Sequence, residues 1–286
     1  MADSVGMQDI RGENINKAVI GFALEEYKIK QVCLVQSSNK WKETYYKETS
    51  SELTASGQEQ SVKGVDRLAN FPYLNPTWTE TSARHQKHAG ESVVSMEDAI
   101  TDSIDALARA TLRVARAIAY SVDRAIYSVI TSDADVNTAA STAAWDDGTE
   151  SNREPITDIL TGIEYLYVDN YDALRNGYLL LSPTDYTNLM RNSRVINNPS
   201  FKTADVVSNG MVGQICGLKI IVSNAVDADE ACIIVGQEAV TWKSAVPLKT
   251  AVIEDKGIKY TIRSWEIGIA VVTNPEAIHI ITNTQA

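Results

Sequence analysis

The stretch 95–131, SMEDAITDSIDALARATLRVARAIAYSVDRAIYSVIT, decides how the rest of this 286-residue chain is read. Ile100, Ile104, Leu107, Thr111, Val114, Ile118, Val122, Ala125 and Val129 recur every three or four residues, so they stack on one face of a helix. The opposite face carries Asp98, Asp102, Asp105, Arg109, Arg113, Arg116, Tyr120 and Arg124, acidic first and basic later, the order that suits a helix dipole. Ser95 is the expected N-cap, with Glu97 and Asp98 in the first turn. Neither Gly nor Pro interrupts the run, which at 1.5 Å per residue spans about 54 Å, roughly three times a typical globular helix. A helix of that length is a beam, and its surroundings say what it supports.

Upstream, residues 1 to about 40 read as a polar arm without an amphipathic helix, its one apolar patch (Val32, Cys33, Leu34, Val35) forming a short strand. From Trp41 to Gly90 the chain is rich in Thr, Ser, Glu, Gln and Lys with scattered aromatics. Residues 41–49 and 77–87 have extended character, and Gly57, Gly64, Pro72 and Pro76 punctuate the stretch between them. The pattern predicts a long two-stranded excursion. An isolated hairpin is marginal in water, and a loop-rich segment of this size is unusual inside a compact domain. It makes sense when its stabilising partner is another molecule. Trp41, Tyr45, Tyr46, Tyr73 and Trp78 either pack on their own hairpin or, since little local core receives them, anchor an interface.

Downstream, residues 133–153 read as a small polar linker with a turn at Asp146, Asp147 and Gly148. A helix opened by Pro155 follows, with Ile156, Ile159, Leu160, Ile163, Leu166 and Tyr167 as its apolar positions. A buried strand at 178–181 runs into Ser182 and Pro183, a cap and first helical position. From Gly213 onward apolar runs at 218–222, 232–235, 251–253, 260–262, 267–272 and 278–281 predict strands. Without a βαβ rhythm, the fold class is α+β.

Chemistry is sparse. Gly210, Gly213 and Gly217 are turn glycines and not a dinucleotide fingerprint. Of three histidines, His85 and His88 fall in a polar stretch flanked by Arg84 and Lys87, expected to be solvated and unsuited to a metal, and His279 is expected to face outward from its strand. Cys33, Cys216 and Cys232 are odd in number and widely spaced, reading as small buried thiols. No catalytic residue, cofactor or metal site is predicted, and no enzyme. The net charge of −11 and the absence of a basic block argue against sequence-specific nucleic-acid binding. No apolar run is long enough to span a membrane, and no signal-peptide pattern opens the chain. The stripe Arg109, Arg113, Arg116 and Arg124 has two readings: a solvated face with pairs such as Asp105 to Arg109, or a contact with a neighbouring subunit or an enclosed polyanion.

The order of these parts resembles the major capsid proteins of tailed phages, the Hong Kong 97 fold. The pieces that carry the resemblance are Leu180-Leu181-Ser182-Pro183-Thr184-Asp185-Tyr186, Gly213-Gln214-Ile215-Cys216-Gly217-Leu218 with the strand after it, Ile233-Ile234-Val235-Gly236, and Ile267-Gly268-Ile269-Ala270-Val271-Val272 leading into Asn274-Pro275-Glu276. The resemblance covers essentially the whole chain. It implies an N-terminal arm (1–40), an extended loop or E-loop (41–92), a peripheral-domain spine helix and linker (93–153), an axial domain (154–245), peripheral-domain return strands (246–272) and a closing axial-domain strand with the C-terminus (273–286).

The function it implies is structural: a subunit that self-assembles through pentamers and hexamers into an icosahedral shell around a double-stranded DNA genome, located in the virion. Its partners would be further copies of itself, a portal, and scaffolding or decoration proteins; DNA would be enclosed without sequence-specific contact, and no membrane is involved. Lys63 falls near the E-loop tip, where some members crosslink, but no partner asparagine is assignable, so no crosslink is predicted. No scaffolding segment precedes the arm, so scaffolding would be a separate protein or already removed. The same fold serves bacterial encapsulins, which enclose cargo enzymes; an amphipathic N-terminal helix would point to one of those. A metal-dependent enzyme built on His85 and His88 is the remaining alternative.

Overall fold

The computed structural model describes residues 17–20, 22–23, 26–48, 64–71, 78–101, 106–196 and 213–286. In chain order the strands are β1 (Leu34–Ser37), β2 (Lys42–Glu48), β3 (Trp78–Arg84), β4 (Gln86–Ser95), β5 (Asn137–Ala140), β6 (Gly177–Leu181), β7 (Gln214–Ile215), β8 (Leu218–Val222), β9 (Glu230–Val235), β10 (Val240–Asp255), β11 (Lys259–Val272) and β12 (Ile278–Thr282). The helices are α1 (Met96–Thr101), α2 (Ala106–Ser132), α3 (Pro155–Val168), α4 (Ala173–Asn176), α5 (Pro183–Arg191) and α6 (Ser193–Ile196).

The spine is helical where the periodicity places it. α2 runs 27 residues, about 40 Å, and buries Thr111, Val114, Ile118 and Val122 with Ala110, Ala115 and Ala119, whose small side chains let it lie close to β4 and β11. Ser95 caps α1 as expected, its Oγ accepting from the Asp98 amide at 3.0 Å. Residues 102–105 lie outside the described set, and Ile100, assigned to the buried stripe, is exposed, because α1 does not share the buried face of α2.

Four strands in the order β1-β10-β11-β4 form one sheet, with β1 parallel to β10 and the other pairs antiparallel. The runs expected at 251–253, 260–262 and 267–272 are parts of two long strands. β10 starts at Val240, upstream of the expected return at 246, and its register shifts between Ser244 and Lys249, where polar residues and Pro247 break the apolar pattern.

The second sheet has the order β5-β12-β9-β6-β8-β7. Its centre is continuously apolar: Leu179, Leu180 and Leu181 of β6 lie beside Ala231 to Val235 of β9, all buried. α3 covers it with Ile159, Ile163 and Leu166, and a Cβ at Gly162 would come within 2.7 Å of Ile233 and 2.8 Å of His279. Leu160 and Tyr167, assigned to that packing face, are exposed instead. α5 starts as read: Ser182 Oγ accepts from the Asp185 amide at 3.1 Å, with Pro183 in the first turn.

Two segments differ from expectation. Residues 133–153 are no linker: β5 pairs in parallel with β12, and buried Trp145 donates from Nε1 to Asp158 Oδ2 at 3.0 Å. Its short Asn, Thr and Ala side chains hide a strand held by its backbone ladder. At the other end, residues 17–20 and 22–23 are helical, and Val19, Ala23 and Tyr27, four residues apart, are buried in the core. That spacing makes an amphipathic turn where a polar arm was expected, and the next residues are fastened to the spine. Asp123 accepts from the amides of Lys28 (2.8 Å), Ile29 (3.2 Å) and Lys30 (3.0 Å). Glu266 on β11 takes the Tyr27 hydroxyl at 2.6 Å, Lys30 Nζ at 2.5 Å and Trp242 Nε1 at 3.2 Å.

Candidate assembly interface

β2 and β3 form the expected antiparallel ribbon, with Lys42 opposite Arg84 and Glu48 opposite Trp78. No described residue of either strand belongs to the hydrophobic core cluster. Trp41, at the ribbon's base, is 62% exposed, and Tyr46 55%. Tyr45 is half-buried, and burial raises the pKa of its hydroxyl. The side chain of Trp78 and the whole of Lys63 and Tyr73 lie outside the described residues. Beyond the ribbon, Leu68 and Phe71 are exposed as well.

Polar contacts hold the ribbon to the body. Glu43 Oε2 is 3.3 Å from Lys243 Nζ on β10, and Glu43 Oε1 hydrogen-bonds the Ser38 hydroxyl, the leading cause of its lowered pKa. Lys47 Nζ reaches Asp133 Oδ2 at 2.5 Å and Asp135 Oδ2 at 3.3 Å, just beyond the end of α2. His85, the single residue between β3 and β4, is buried with its Nε2 3.6 Å from Glu43 Oε1. His88 is also buried, its Nδ1 2.8 Å from Ser121 Oγ and its ring tilted against Trp242. The expectation of a solvated stretch fails because the polar strand leaves the ribbon and enters the four-stranded sheet beneath α2. The two rings sit among different partners, and among the described residues no cluster of His, Cys, Asp or Glu could hold a metal. His279, expected to face outward, is buried and stacks on Tyr165.

The arginine stripe divides in two. Arg116 Nε binds Glu26 Oε1 at 2.7 Å, and Arg124 binds Asp227 Oδ1 at 2.6 Å and the Ala225 carbonyl at 3.0 Å, which raises its pKa. Those two are fastened within the subunit. Arg109 and Arg113 are exposed and, among the described residues, make no ion pair. They line a cleft of about 310 Å³ with Ser92, Val93 and Val94 of β4, Asp98 of α1, and Ala106 and Ala110 of α2. Periodicity placed these four arginines on one face; which of them find partners depends on Glu26 and Asp227, remote in sequence.

A family model described as phage capsid protein matches residues 78–281, more than two thirds of the chain. The chain belongs to that family. Among curated protein sequences none matches this capsid protein. Its fold is similar to the virus-like particle from Pyrococcus furiosus (TM-score 0.65, 11% identity, 94% of this chain and 98% of that one). It is equally similar to the capsid of cyanophage P-SCSP1u (TM-score 0.65, 14% identity, 90% and 88%). It is also similar to the mature capsid of bacteriophage PhiM1 (TM-score 0.61, 15% identity, 89% and 86%). The fold is thus the α+β Hong Kong 97 type, and the chain is a structural subunit of a virion capsid shell. Among the described residues no helix is long and apolar enough to cross a membrane.

Proposed function

We propose that this capsid protein closes, through pentamers and hexamers, into an icosahedral shell around a double-stranded DNA genome. The observation that carries this reading is a continuous core to which the described residues of a two-stranded ribbon contribute nothing, in a fold whose match to the cyanophage P-SCSP1u capsid covers 90% of this chain. Contacts between non-identical patches close rings, and many modest contacts acting together give multivalent closure. In this reading β2 and β3 are the base of the E-loop, α2 and the four-stranded sheet the peripheral domain, and the six-stranded sheet the axial domain. Trp41, Tyr45, Tyr46 and Trp78, with Lys63 and Tyr73 from the sequence between the two strands, reach adjacent subunits. The chain's net charge of −11 confines DNA without gripping it. A portal and scaffolding or decoration proteins complete the particle; one of the similar structures holds decoration proteins with the major capsid proteins of Phage G.

A second reading, a compartment shell around a cargo enzyme, gains from the buried amphipathic turn at Val19, Ala23 and Tyr27, since an N-terminal amphipathic helix is what the sequence reading asked of an encapsulin. Expression of the chain alone, followed by sedimentation and negative-stain electron microscopy, tests both. Closed shells or capsomer rings are the expected result, and the material inside them, nucleic acid or an enzyme, chooses between the readings. A persistent monomer even with candidate scaffold proteins coexpressed overturns both.

A further inference from the structure

We infer that the cleft between β4 and the start of α2 receives an extended, acid-bearing segment of a second copy of this chain, with Arg109 and Arg113 as its anchors. The inference rests on the shell reading above and names a contact within it.

Three observations meet at this place. The first is charge. Arg109 and Arg113 lie one helical turn apart, so both guanidinium groups can address a single carboxylate, or two neighbouring ones, as forked donors. Of the four arginines on the stripe, Arg116 and Arg124 already have carboxylate partners in the same chain, and these two have none among the described residues. Among the described lining residues Asp98 is the one acid set against these two cations. With 37 acidic against 26 basic side chains, two copies repel on average, so contacts between them must place scarce cations against abundant carboxylates. Two exposed arginines without a carboxylate partner among the described residues are complementary to another copy of such a molecule.

The second is shape. Val93, Val94, Ala106 and Ala110 give the cleft an apolar lining beneath the charged rim, the combination that desolvates an ion pair and raises its worth. The third is the strand beside it. β4 is the edge of the four-stranded sheet, paired only with β11 among the described residues, and Ser92, Val93 and Val94 line the cleft from that edge. An extended segment can therefore add backbone hydrogen bonds to β4 while its carboxylate meets the arginines.

Crosslinking tests this directly. The variant R109K/R113K keeps both charges and supplies amines that a zero-length carbodiimide joins to a touching carboxylate. Shells assembled from equal parts of ¹⁵N-labelled and unlabelled subunits should yield mixed-isotope peptides linking positions 109 or 113 to an Asp or Glu of another copy. The variant R109E/R113E should keep the wild-type melting temperature while its threshold concentration for assembly rises about tenfold or more. Crosslinks confined to one copy overturn the inference, as does assembly of R109E/R113E at the wild-type threshold. Normal shells of that variant that retain less DNA would assign the cleft to nucleic acid and also overturn it. If R109E/R113E fails to fold, the isotope pattern of R109K/R113K decides alone. Failure of the wild-type chain to form shells is a different result, and it strikes the shell reading itself.

Discussion

His279 is 1% exposed, its ring stacked 5.0 Å from that of Tyr165, and burial pushes its pKa down to about 4. An unfolded histidine titrates near 6.5. Between those values the unfolded chain binds a proton that the folded chain refuses, so stability falls as pH drops from about 6.5 towards 4. Thermal melts at pH 7 and pH 5 should show a lower melting temperature in acid and a shallower loss for His279→Gln; His88, whose pKa burial also lowers, contributes to the slope that remains. Asp123 gives a second test. Its carboxylate serves three backbone amides, and Asp123→Ala strands those donors at a cost of about 3 kcal/mol. Asp123→Asn, which keeps an acceptor oxygen, should lose less in urea denaturation. Neither role was legible locally. An Asp between Val122 and Arg124 looks like part of a solvated flank, and a histidine between isoleucines looks like an outward pleat position, until Lys28 to Lys30 and Tyr165 arrive from elsewhere in the chain.

Elements with a local signal were readable. Ser95 capped its helix and Ser182 with Pro183 opened another, because capping depends on three or four consecutive residues. The periodicity of α2 matched its burial from Thr111 to Val122, after which the core face moves from the expected Ala125 and Val129 to Ile126 and Ile130. What escaped was β5, a strand of short side chains held by its ladder to β12, and the turn at Val19 and Ala23, whose apolar residues Ala18, Val19, Ile20, Phe22 and Ala23 a reading of the arm as polar passes over. The ribbon was legible for the opposite reason, a lack of core. Deleting residues 52–70 should therefore leave the subunit's cooperative melting by circular dichroism intact while abolishing or derailing closed shells in sedimentation. Loss of cooperative melting would mean that the segment supports the fold.

For the molecule as a whole, the sign and size of the charge set how copies meet. At −11 each subunit repels the next over distances comparable to the Debye length, which shrinks from about 30 Å at 0.01 M salt to about 8 Å at 0.15 M. Screening removes long-range repulsion before it weakens partly buried contact pairs, so light scattering should detect assembly at a lower protein concentration in the higher salt. A threshold that rises with salt would mean that attraction between charged faces dominates the encounter.

The ribbon's fastening has a consequence for curvature. Glu43 to Lys243 and Lys47 to Asp133 pin it to a body with which it shares no buried apolar cluster. These pairs are largely buried, with side-chain exposures of 18% and 9% and of 13% and 7%, so they hold the ribbon at its base. Among the described residues no packed apolar core, which would resist deformation, stops it from tilting about them. One subunit can therefore act as a rigid tile with an adjustable tab: the tile keeps its outline, and the tab tilts to suit flatter or more sharply bent positions in a closed surface. Adaptation to different positions in a closed shell would then reside in a few ion pairs at the base of the ribbon.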